Sequence, residues 1–122
     1  LTLARMPRET EVAVLEIGMN HPGEIRVLTA MARPDVAVIT TVEAAHLAAF
    51  RSVDEIADAK AEIFEGVTSG GAAVLPTDNA CHGRLLDAAK AAGARRAAST
   101  PKGPPGVSSH GAPPPERTHH SK

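Results

Sequence analysis

The chain has 122 residues, 43% of them hydrophobic and 22% charged, with a formal net charge of −1 and one cysteine. That length suits a single domain, the lone cysteine excludes an internal disulfide and points to a reducing, cytoplasmic compartment, and no apolar run of about 18 residues offers a membrane span. Up to residue 96 ten basic residues stand against thirteen acidic ones, with no basic stripe and two phenylalanines as the only aromatics, so nucleic-acid binding has no support.

Residues 1–10, "LTLARMPRET", are too short and polar to assign, and read as a connector from a preceding element. The chain opens on Leu1 rather than Met, so an upstream portion is expected to be missing. Next comes "EVAVLEIG" (11–18), rich in Val and Leu as a buried parallel strand is, and predicted to be the first strand. "GEIRVLTAMAR" then predicts a helix, with Ile25, Leu28, Met31 and Ala32 at spacings of three and four, ending where Pro34 disfavours helical geometry at Arg33. "DVAVIT" (35–40) predicts the second strand. Ser52 and Glu55 have the spacing of a capping box, opening a second helix that runs to about Gly66. "AAVLP" (72–76) predicts the third strand and "GRLLDAAKAAG" the third helix, ending at Gly93.

The order β-α-β-α-β-α implies an α/β fold with a parallel sheet. From Ala97 to Lys122 the composition changes: six of the ten prolines lie there among Gly, Ser and His. Such a stretch cannot bury enough apolar surface to offset its ordering entropy. The reading is therefore a folded part over 1–96, with a small core, and a disordered tail over 97–122.

Three residues break the pattern. Glu16 ends the first apolar run, where a desolvated carboxylate is costly unless it is paired or binds a cation. Its plain reading is a salt bridge or an outward edge position. Ligands of open parallel sheets bind outside the carboxyl ends of the strands, so the loops after Gly18 and Thr40 are expected to be neighbours and Glu16 and His46 could face one cleft. His46 is equally readable as a surface or helix-capping histidine. Lys60 lies on the apolar stripe of the second helix, four residues from Ile56 and four from Phe64, while Asp54, Glu55, Asp58, Glu62 and Glu65 mostly take the other face. It either snorkels to water or is an amine whose burial favours the neutral, reactive form.

Gly18 and Gly23 mimic the G-x-x-x-x-G of a phosphate loop, but Glu24 and Ile25 follow where Lys and Ser/Thr are required. The pairs Cys81–His82 and His119–His120 lack partners at zinc-ligand spacing and are assigned nothing.

Taken together, "LEIGMNHPGEI", "ARPDVAVITTVEAAHLAAF" and "SVDEIADAKAEIFEG", in this order and spacing, resemble the central ATPase domain of the Mur ligase family over about residues 1–95. The resemblance implies that 1–96 is part of that domain. It implies Glu16 and His46 as ligands of a Mg²⁺ that bridges the ATP γ-phosphate and the acyl acceptor, and Lys60 as a lysine carbamylated by carbon dioxide. It implies ATP-dependent amide formation in peptidoglycan precursor synthesis, with "NHPGEI" favouring D-alanyl-D-alanine as the amine and a UDP-muramoyl tripeptide as the acid, and no nucleic-acid or membrane partner. Thr41 and Pro76 stand where relatives commonly have Asn, and the family's phosphate loop is absent, so the chain alone is expected to be inactive. The alternatives are a folylpolyglutamate- or cyanophycin-type ligase fragment, or a non-catalytic α/β remnant.

Overall fold

The alanine- and valine-rich runs pair into a three-stranded parallel sheet. Residues 3–45, 48–94 and 96–100 are described by the structure, a computed structural model. Its strands are β1 (Val36–Val38), β2 (Ala72–Pro76) and β3 (Arg96–Thr100), in the order β1-β2-β3. The register aligns Val36 with Ala72 and Val38 with Val74 on one side of β2, and Ala72 with Arg96 through Pro76 with Thr100 on the other. The helices are α1 (Glu24–Ala32), α2 (Val53–Ala61), continued by a 3-10 helix over Glu62–Gly66, and α3 (His82–Ala91). A short 3-10 turn at Leu3–Arg5 precedes them.

Local chemistry explains the helix ends. At α2 the Ser52 hydroxyl accepts the Glu55 amide at 3.2 Å, one half of a capping box. The Glu55 carboxylate returns to the Arg51 amide rather than to that of Ser52. α1 starts after Gly23 at φ 89° and stops at Arg33, whose amide bonds the Thr29 carbonyl in a left-handed turn just before Pro34. Gly93, at φ 81°, follows α3, as glycine does where that conformation is needed.

The core is one cluster. Ala37, Ala73 and Leu75 of the sheet pack with Ile56, Ala57, Phe64, Leu85 and Ala89 of the helical layer. β1 alternates exposed, buried, exposed, so Val36 and Val38 stay largely in solvent. α1 docks on the 3-10 helix: the buried Thr29 hydroxyl donates to the Ile63 carbonyl at 2.8 Å, and Gly66 lies against Thr29 so closely that a Cβ there would overlap its carbonyl and hydroxyl.

Four expectations are corrected. Residues 11–18 form no strand: Val12 and Val14 are 80% and 94% exposed. A parallel strand needs a ladder partner and cover on both faces, and β1, three residues long at the sheet edge, supplies neither. The observed order is thus α-β-α-β-α-β, not β-α-β-α-β-α. Residues 97–100 belong to β3 rather than to the tail, because pairing along β2 satisfies their backbone groups whatever their side chains; residues 101–122 lie outside the described residues. On α1 Ile25 is buried as expected, but the other buried residue is Thr29 rather than Met31, which is half exposed. Glu62, expected on the solvent face, is buried under α1.

Candidate functional site

A pocket of about 300 Å³ opens at the carboxyl end of β1, where ligands of parallel sheets collect. Four parts of the sequence build it, one of them the single residue Ile25 of α1. Ile17, Gly18 and Met19 form one wall, the end of β1 and its loop (Val38, Ile39, Thr40, Thr41, Glu43, Ala45) a second, and Ile56, Lys60 and Ile63 the third. The loops after Gly18 and Thr40 are therefore neighbours, as the strand-end rule implied.

Lys60 reaches the pocket from α2. Its stem leaves the apolar stripe and Nζ donates to the Thr41 carbonyl at 2.7 Å, partly buried. The group has a backbone partner rather than a purely aqueous one, so simple snorkelling does not describe it. Glu16 is exposed and precedes the wall residue Ile17, and among the described residues its carboxylate makes no hydrogen bond or ion pair. His46 lies outside the described residues, so the structure gives no geometry for its approach to Glu16 or Lys60.

The approach to the pocket is ordered by carboxylates. Glu24 Oε2 accepts the amides of Asn20 at 2.6 Å and His21 at 3.2 Å, and Oε1 lies 3.2 Å from His21 Nδ1. The Asn20 amide bond first, and then those from His21, hold the Glu24 carboxyl below the usual carboxylate range. Glu62 Oε1 and Oε2 accept the amides of Gly23 at 2.9 Å and Arg26 at 3.0 Å, capping α1 from a distance of 39 and 36 residues in sequence. The Arg26 hydrogen bond likewise lowers the Glu65 carboxyl.

One contact had a weak sequence signal. Asn79 Nδ2 donates to the Val42 carbonyl at 2.8 Å and Oδ1 accepts the Cys81 amide at 2.9 Å. The second bond is an Asx turn, for which Asn three residues ahead of a helix is the only cue; the first is long-range and invisible in sequence. Cys81 is buried, and His82 Nδ1 donates to the Pro76 carbonyl at 2.8 Å, so both serve the fold.

The chemistry available is that of oxygen donors with one amine. Carboxylate and carbonyl oxygens suit a hard cation. Among the described residues no three His, Cys, Asp or Glu side chains are gathered as a metal set, and no helix is long and apolar enough to cross a membrane.

Comparison with known proteins places this geometry. The profile of the Mur ligase middle domain matches residues 1–104. The UDP-N-acetylmuramoyl-tripeptide--D-alanyl-D-alanine ligase of Rickettsia prowazekii is 40% identical over 90 residues, covering 74% of this chain and 20% of that protein. The enzyme of the same name from Escherichia coli is 42% identical over 79 residues, 65% of this chain and 18% of its own length. A crystal structure of MurF from Acinetobacter baumannii superposes with a TM-score of 0.71 at 32% identity, covering 80% of this chain and 20% of that one. The chain thus spans about a fifth of the length of the relatives it matches.

Proposed function

The chain belongs to the Mur ligase family, matching its middle domain, and on that premise we propose that it carries the metal- and lysine-bearing part of an ATP-dependent ligase. The reaction is the addition of D-alanyl-D-alanine to a UDP-muramoyl tripeptide, the activity named for the relatives. The tripeptide carboxylate attacks the γ-phosphorus of ATP, ADP leaves, and the amine of D-alanyl-D-alanine then displaces phosphate from the acyl carbon. The observation that carries the reading is the convergence on one pocket of residues 17–19, residues 40–45 and Lys60.

Glu16, His46 and a carbamylated Lys60 would hold Mg²⁺. The exposed, uncommitted Glu16 carboxylate beside the pocket wall and the Glu43 side of the loop after β1 offer oxygen donors suited to a hard cation, and His46 and the modified lysine would complete a set that Glu16 alone does not make. When bound, the ion would supply positive charge against the transferring phosphoryl group. Lys60 is suited to the modification. Once unprotonated, the amine would add its lone pair to carbon dioxide and give one of its two protons to water, and the remaining N–H could stay on the Thr41 carbonyl that already accepts from Nζ.

The 122 residues contain no G-x-x-x-x-G-K-[ST] loop, so amide formation from ATP by these residues alone is not expected. Carbon-13 NMR of the chain in labelled bicarbonate tests the lysine directly. A carbamate signal absent from Lys60→Met supports the reading, and an identical spectrum in the two proteins would overturn Lys60's part in it.

A further inference from the structure

We propose that Asn79 is a positioning residue for the pocket, setting the course of the loop that follows β1. Two successive carbonyls of that loop are held from two different elements: Thr41 by Lys60 of α2, and Val42 by Asn79 of the β2–α3 turn. The loop then continues into Glu43 and Ala45, which line the pocket, with the Ala45 amide on the Glu43 carbonyl at 2.8 Å.

The Asn79 amide can serve here in one orientation only. Its NH₂ must face the Val42 carbonyl and its oxygen the Cys81 amide, since the opposite assignment sets donor against donor and acceptor against acceptor. Val42 is buried, so its carbonyl has little water to fall back on. Asn79 therefore ties the first turn of α3 to the pocket loop. No ligand touches it in this scheme; it acts through the loop. Its consequence for metal binding rests on the function proposed above, whereas its hold on the loop does not.

Asn79→Asp separates the two bonds. It keeps an oxygen for the Cys81 amide and replaces the donor to Val42 by an acceptor. In the full 122-residue chain, nitrogen-15 relaxation and amide exchange are read at Val42–Ala45 and at Cys81, together with Mn²⁺ line broadening at the pocket walls. Asn79→Asp is expected to mobilise Val42–Ala45 and speed Ala45 exchange, leave Cys81 near wild type with the melting temperature lowered by several degrees, and raise the Mn²⁺ concentration for half-broadening by about tenfold, as loss of an outer support does. Asn79→Ala is expected to release Cys81 as well. A loop unchanged in Asn79→Asp, or a loosening spread evenly over the whole chain, overturns the proposal. A loop released in a protein whose wild type shows no Mn²⁺ broadening at the pocket supports the anchoring role and removes the metal reading instead.

Discussion

Glu62→Ala should be among the most costly single substitutions outside the apolar core. Its side chain is 8% exposed and accepts two backbone amides at the start of α1, with the Arg26 guanidinium 3.7 Å away. Hydrogen bonds to a charged acceptor contribute roughly 1.5–3 kcal/mol each. The Gly23 and Arg26 amides lie near the surface and can partly recover water, so the expected loss is about 2–4 kcal/mol rather than the full sum. A small domain has about 5–15 kcal/mol in total, and this one is expected near the lower end. Glu62→Gln, which keeps one acceptor, should lose about half as much. Urea unfolding followed by far-ultraviolet circular dichroism reads the difference. The exposed partner Glu65, bonded to Arg26 Nε at 2.7 Å, is the control, because solvent screens such a pair. A Glu62→Ala loss under about 0.5 kcal/mol, or one matched by Glu65→Ala, would refute distant capping as the anchor of α1.

Gly66→Ala should push α1 off the 3-10 helix, since the new Cβ meets backbone and hydroxyl atoms of Thr29; Ser at the same position should be no milder, and unfolding midpoints check both. Thr29→Val keeps the volume but leaves the Ile63 carbonyl without its donor, for an expected loss of about 1–3 kcal/mol in the same assay. The Glu24 carboxyl is held low in the folded chain, so its contribution is present above the unfolded carboxylate range and is lost as pH falls through the folded value. Glu24→Gln should flatten that part of the acid limb, and an NMR titration of Glu24 should place its midpoint below those of the unbonded acids.

Where a signal is local, the sequence carries it. The span 72–76 of β2 and the Ser52 start of α2 follow from short-range chemistry, and both are found. Lys60 stood out because an ammonium on an apolar stripe must find a partner, though nothing in the spacing named the Thr41 carbonyl. Pairing decided the rest. Residues 11–18 have the composition of a strand, but strand formation needs a neighbour to bond, while the polar end of β3 finds one in β2. Glu62 reads as one more acid of a solvated face, and only the arrival of α1 buries it. The Asn79 bridge spans 37 residues and has no periodicity to betray it.

Magnesium titration of the 122-residue chain, followed by NMR at the imidazole of His46 and at the backbone of residues 17–19 and 40–45, bears on the pocket without any assumption about activity. Saturable shifts confined to His46 and these two loops, and lost in Glu16→Gln, are the expected result. Signals that stay still, or that drift equally at Asp54, Asp58 and the other surface acids, would contradict a metal site in this pocket.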